Sequence, residues 1–107
     1  MTVTQYDVVL VNLDPTVGSE IRKSRPCVIV SPDEMNRHLR TVVIAPMTSK
    51  SHPYPTRVSV LHNNTSGFVV IDQIRTIDKR RIIKTLGHLA TDEIKDLKDV
   101  IRETYVD

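Results

Sequence analysis

Arg25 is the residue whose local sequence best suits it to bind an anion. It stands directly before Pro26, and a residue before proline is held in an extended backbone conformation. The arginine should therefore lie at the start of the apolar run Cys27–Ser31, where its planar guanidinium can offer parallel donors to phosphate oxygens. From spacing alone, an ordinary surface arginine in front of a strand is the alternative interpretation.

A second polar group follows another apolar run, Thr41–Ala45. It contains Thr48, Ser49, Lys50 and Ser51, which together offer three hydroxyl groups and one cation. Such a set can bind a phosphate, although clusters of Ser and Thr also commonly form turns. Both interpretations stay open on this segment alone.

A third polar segment, Asp72-Gln-Ile-Arg75, follows the run Phe68–Ile71. Strand alternation predicts Gln73 and Arg75 on one face and Asp72 and Ile74 on the other. Four more basic residues come soon after: Lys79, Arg80, Arg81 and Lys84. A basic run of this kind can follow a phosphate backbone or form a solvated strand edge.

One long polar loop leads to Arg25. About a dozen residues separate the runs Asp7–Leu13 and Cys27–Ser31, whereas a plain hairpin needs two to five. Long polar loops between strands are usually functional or disordered, and the flanking strands favour function here. The polar residues inside the loop are Asp14, Ser19, Glu20, Arg22 and Lys23.

Several familiar catalytic and metal sites are missing from the sequence. It has no Cys/His metal spacing, no glycine-rich phosphate loop and no nucleophile elbow. We therefore expect no metal and no cofactor. The histidines have no partner fixed by spacing, and Cys27 is expected to be a buried small hydrophobic residue. The histidines are His38, His52, His62 and His88.

Short β-branched runs separated by turn residues predict the architecture. Their number and spacing predict a small antiparallel β-barrel or sandwich, with a short helical turn over 32–39. Thr91 should cap a C-terminal helix whose apolar stripe packs on the barrel. The stripe consists of Ile94, Leu97, Val100, Ile101 and Tyr105. Residues 1–107 should form a single domain, of mixed β and α (α+β) class.

Charge and hydropathy indicate which partners and which cellular location are expected. The net charge is +2, but residues 91–107 carry −3, which leaves a basic body of +5. This asymmetry is compatible with a polyanionic partner without requiring one. We find no signal peptide and no apolar stretch long enough to span a membrane, so a cytoplasmic protein is expected.

Taken together, these segments resemble the MazF/PemK-type toxins. The resemblance rests on Asp14-Pro-Thr-Val-Gly-Ser-Glu20 and Arg25-Pro-Cys-Val-Ile-Val-Ser31, which are its most specific parts. It continues through Pro46-Met-Thr48, Pro53-Tyr-Pro55 and Asp72-Gln-Ile-Arg-Thr-Ile77, and it ends in a similar helix. It therefore spans nearly the whole chain, in the expected order.

The resemblance implies a fold, an activity and partners. The fold would be an SH3-like antiparallel β-barrel with a C-terminal helix, assembled as a homodimer. The activity would be that of a metal-independent endoribonuclease, an mRNA interferase that cuts single-stranded RNA at short sequences. A cognate antitoxin with an acidic segment would block the same groove.

The resemblance also implies roles for individual residues. Arg25 and Thr48 match the catalytic pair of the family, and Glu20 matches an acidic position implicated in activity. Ser19 and Gln73 match positions that contact RNA. We expect the charges of Arg22, Lys23 and Lys50 to attract the RNA backbone. Because aromatic residues are few, base stacking is expected to contribute little.

Two other functions remain open at this stage. One is a CcdB-like toxin of the same barrel type that poisons gyrase by protein contact, although the C-terminal helix lacks the tryptophan such relatives use. The other is an RNA-binding barrel without catalysis. Both can be separated from a nuclease by incubation with RNA.

Overall fold

The computed structural model describes residues 2–13, 24–49, 54–62 and 65–107. Seven strands and two helices account for most of them. The strands are β1 (Asp7–Asn12), β2 (Ser24–Ile29), β3 (Thr41–Thr48), β4 (Arg57–His62), β5 (Thr65–Val70), β6 (Arg75–Asp78) and β7 (Ile82–His88). The helices are α1 (Asp33–His38) and α2 (Thr91–Tyr105), and 3-10 helices cover Ile71–Gln73 and Lys79–Arg81.

The strands form one curled antiparallel sheet. Its order is β4-β5-β3-β2-β1-β7, and β6 pairs with β3 outside this path. The ends of the path approach each other, since a Cβ added to Gly87 of β7 would lie 3.2 Å from Cε1 of His62 in β4. The predicted antiparallel barrel with a C-terminal helix is confirmed as this half-barrel.

Side-chain alternation divides the core between the two faces of the sheet. On one face, Val8, Val28 and Ala45 belong to a cluster that also contains Leu97 of α2. On the opposite face, neighbouring residues of the same strands form a second cluster, which includes Val9, Val11, Cys27, Ile29 and Ile44. Because successive residues of a strand point to opposite faces, one apolar run supplies both clusters.

The C-terminal helix packs as its spacing predicts. Leu97 is fully buried, and Ile94, Val100 and Ile101 pack around it. Tyr105, the last residue of the predicted stripe, is 53% exposed, but its hydroxyl donates to the carbonyl of Ile71 at 2.6 Å, which ties the last turn of α2 to the 3-10 helix after β5.

The predicted cap of this helix is wrong by one residue. Ala90 holds the extended N-cap conformation and Thr91 is the first helical residue. The amide of Ala90 donates to the Glu93 carboxylate at 2.9 Å, so a side chain of the first turn takes over the capping. No helix in the described ranges is long and apolar enough to cross a bilayer.

Candidate functional site

A cleft of about 360 Å³ opens at one end of the sheet. It is lined by residues from β2, β3, β4, β5 and β6, from the 3-10 helix after β5 and from the residue that follows β1. Its lining residues are Leu13, Arg25, Pro46, Met47, Thr48, Arg57, Val70, Gln73 and Arg75. Two of these nine, Arg25 and Arg75, are exposed arginines and none is acidic, so the lining described by the structure favours an anionic ligand.

Strand register brings Arg25 and Thr48 to the same part of the cleft. β2 and β3 pair antiparallel, with Cys27 opposite Pro46. Arg25 precedes Cys27 by two residues in β2, and Thr48 follows Pro46 by two residues in β3. Because side chains alternate between the two faces of a strand, both residues occupy the same face as that pair. Arg25 is exposed and Thr48 is half-buried. The two residues singled out by the resemblance therefore line the same cleft.

A close backbone approach positions Thr48 from its other side. β5 pairs with the end of β3, with Phe68 opposite Thr48. A Cβ added to Gly67 would lie only 3.1 Å from the Thr48 carbonyl oxygen. Glycine at this position lets β5 run close to the strand end that carries the hydroxyl.

Gln73 and Arg75 enter the cleft because the partner of β3 changes along its length. β6 pairs with the first half of β3, and β5 pairs with its last two residues. The 3-10 helix Ile71–Gln73 connects these two partners. The predicted strand alternation is therefore wrong at Asp72 and Gln73, which lie in the 3-10 helix, although both Gln73 and Arg75 do line the cleft.

Cys27 lies directly beneath this basic site. It is fully buried, and burial raises the pKa of its thiol to about 12. The charges of Arg25 and Arg75 act on the thiol in the opposite direction, lowering its pKa, so both guanidinium groups lie near one sulfur atom. The prediction of a buried small hydrophobic residue at Cys27 is confirmed.

Arg57 is a cleft residue that the sequence analysis missed. It forms an ion pair with Asp72 and its Nη1 donates to the Thr56 hydroxyl at 3.3 Å. Its side chain is only 14% exposed. Alternation with buried Val58 and Val60 predicts an outward position for Arg57, and no sequence signal indicates that the cleft would enclose it.

The other five predicted site residues lie outside the described residues: Ser19, Glu20, Arg22, Lys23 and Lys50. Over the described part of the chain, no group of three or more His, Cys, Asp or Glu could hold a metal ion. The arrangement that the structure does show is a hydroxyl and an amide beside two exposed arginines, which suits hydrogen bonding to a phosphodiester.

Comparison with known proteins places the chain among relatives of similar size. A sequence model of the PemK-like, MazF-like toxins of type II toxin-antitoxin systems matches residues 4–105. A relative from Staphylococcus saprophyticus, named endoribonuclease MazF, is 32% identical over 101 residues, which cover 89% of this chain and 84% of that protein.

Solved structures agree with the fold. A MazE–MazF crystal structure from Deinococcus radiodurans superposes with a TM-score of 0.83 at 25% identity, covering 96% of this chain and 95% of that one. A mycobacterial endoribonuclease in complex with its cognate antitoxin gives a TM-score of 0.80 at 23% identity, covering 94% and 91%. With a family match over nearly its whole length, this chain belongs to the PemK-like, MazF-like toxins of type II toxin-antitoxin systems.

Proposed function

We propose that this protein is an endoribonuclease toxin that cuts single-stranded RNA within the cleft. One observation carries the proposal: Arg25, Thr48 and Gln73 come from three separate segments of the sequence and line the same cleft. The family supports the same activity, since a relative 32% identical to this chain is named an endoribonuclease.

The reaction we propose uses the 2′-OH of the RNA as nucleophile. Its oxygen attacks the adjacent phosphorus, the P–O5′ bond breaks, and the products are a 2′,3′-cyclic phosphate and a 5′-OH. A base must accept the 2′-OH proton, an acid must protonate the leaving 5′ oxygen, and the phosphoryl oxygens gain negative charge in the transition state. No metal is required for these steps.

Arg25 is assigned to charge stabilisation. Its side chain is exposed at the cleft and can present two donors to the phosphoryl oxygens. A guanidinium keeps its proton at neutral pH, so it is poorly suited to accept the proton of the 2′-OH. Thr48 adds a hydroxyl donor to the same oxygens. Glu20 is the proposed base.

Recognition of the RNA is assigned to the residues around Arg25 and Thr48. Single-stranded RNA exposes its base edges, and the Gln73 amide, which is exposed in the cleft, can both donate to and accept from them. Ser19 would contact RNA from the polar loop. Arg22, Lys23 and Lys50 would attract the phosphate backbone.

The proposed protein partner follows from the basic lining of the cleft. An antitoxin with an acidic segment would occupy the arginine-lined cleft in place of RNA, so its binding should compete with RNA. We further propose that the active form is a homodimer that works in the cytoplasm, where mRNA is available.

Cleavage in the presence of EDTA tests the proposed function. Purified protein is incubated with a mixed-sequence single-stranded RNA and EDTA, and the fragment ends are determined. Fragments with cyclic phosphate or 3′-phosphate ends and 5′-OH ends are expected. A mobility shift of intact RNA would instead show a binding module, and no effect on RNA would point to a protein target such as gyrase.

A further inference from the structure

An aromatic ring lies against one of the arginines that line the cleft. The Cζ atom of Arg57 is 5.4 Å from the centroid of the Tyr54 ring. Arg57 lines the cleft with Arg25 and Thr48, so the ring lies next to a residue of the proposed RNA site. Tyr54 is 53% exposed, as is Tyr105 at the end of α2, but of these two tyrosines Tyr54 is the one that contacts an arginine of the cleft.

Arg57 is held firmly enough to support this ring. It forms an ion pair with Asp72 and hydrogen-bonds to Thr56, and its side chain is largely buried. The guanidinium charge is thus already partnered within the protein. Its contribution is to hold the Tyr54 ring through a cation–π contact, while the exposed part of the ring faces solvent.

We propose that Tyr54 is a stacking platform for an unpaired nucleobase of the RNA bound in the cleft. This inference rests on the proposed endoribonuclease function and deepens it, because it adds a base subsite beside the phosphate site. An exposed aromatic side chain close to basic residues is the arrangement by which proteins hold single-stranded nucleic acid. It departs from the expectation that stacking contributes little.

Binding measurements with Tyr54 variants test the platform. The ligand is a 2′-O-methylated copy of an RNA that the wild-type protein cuts, because it lacks the free 2′-OH and stays intact. Tyr54→Ala should raise its Kd about tenfold or more, since a stacking ring is lost. Tyr54→Phe keeps the ring and should restore tight binding, which would show that the ring rather than the phenol hydroxyl is needed.

A tryptophan reporter tests stacking directly and does not depend on the alanine variant. The chain contains no tryptophan, so Tyr54→Trp places a single indole at the platform. Its fluorescence should be quenched when the methylated RNA binds. Leu61→Trp is the matched control, because Leu61 is 61% exposed on β4 but lies four residues further along the strand, about 13 Å from Arg57. Its fluorescence should change little.

Two results would overturn the platform. One is a Tyr54→Ala protein that binds the methylated RNA within twofold of the wild type, and the other is an indole at position 54 that RNA does not quench. These failures differ from failure of the proposed function. If the wild-type protein cuts RNA and only the Tyr54 results fail, the base subsite alone is wrong, whereas a wild-type protein that neither cuts nor binds RNA removes the function itself.

Discussion

Arg25 and Thr48 lie on the same face of the β2–β3 pair, each two residues beyond the paired residues Cys27 and Pro46. This relationship places a guanidinium and a hydroxyl beside one cleft. The cleft lining is rigidly supported there, because Cys27 beneath it is fully buried and Gly67 brings β5 against Thr48. Such support is what a site built for a charged transition state needs.

The hydroxyl of Thr48 should be required for cleavage. Thr48→Val keeps the β-branched shape and removes the donor, so we expect kcat for RNA cleavage to fall about a hundredfold, in the range found for a lost transition-state donor. Thr48→Ser keeps the hydroxyl and should retain most of the activity. A valine variant as active as the serine variant would show that the hydroxyl takes no part.

Arg75 should contribute a phosphate contact. Each phosphate neutralised on single-stranded nucleic acid adds about 0.7 to the slope of log Kd against log salt concentration. Arg75→Ala, measured with the 2′-O-methylated RNA, should lower that slope by about this amount. Arg80→Ala is the matched control, because Arg80 is 91% exposed, pairs with Asp78 and does not line the cleft. Equal effects of the two substitutions would indicate only a general loss of positive charge.

Cys27 should make the protein less stable at high pH. Burial raises the pKa of its thiol from an ordinary value of 9.0 to about 12. Between these values the unfolded chain releases the thiol proton and the folded protein keeps it, so the free energy of unfolding should fall as pH rises, by about 1.4 kcal/mol per pH unit. Below pH 9 the thiol is protonated in both the folded and the unfolded state, so its contribution to the free energy of unfolding no longer changes with pH.

The measurement is urea unfolding at several pH values from 8 to about 11. Cys27→Ala removes the thiol and should show a shallower decline above pH 9 than the wild type, whatever its own stability at pH 8. The other titrating groups are common to both proteins, so the difference between the two curves isolates the thiol. Parallel curves would contradict the raised pKa.

The sequence predicts the strands of this protein better than their pairing. Alternation in Val8–Leu13 and Cys27–Val30 is local, and the two core clusters follow from it. The meeting of Arg25 and Thr48 depends on the register between β2 and β3, which is a tertiary property. From the sequence, only the family resemblance predicts that these two residues belong to one site.

Local sequence patterns did not predict two features of the structure, strand β6 and the position of Arg57 in the cleft. β6 is only four residues long and lies between two 3-10 helices, so it leaves little periodic signal in Arg75–Asp78. Arg57 has the alternation of an outward strand residue, yet its ion pair with Asp72 holds it in the cleft. Both cases depend on contacts between segments that are distant in sequence, which no local pattern encodes.

The most direct test of the central claim is the RNA-cleavage rate of Arg25→Ala. Arg25 is exposed, so the variant should keep the circular dichroism spectrum and the urea midpoint of the wild-type protein. With folding intact, loss of its charge at the scissile phosphate should lower kcat/KM at least a hundredfold, and Arg25→Lys should recover part of the loss. Cleavage by Arg25→Ala within a few-fold of the wild type would contradict the assignment of this cleft as the active site.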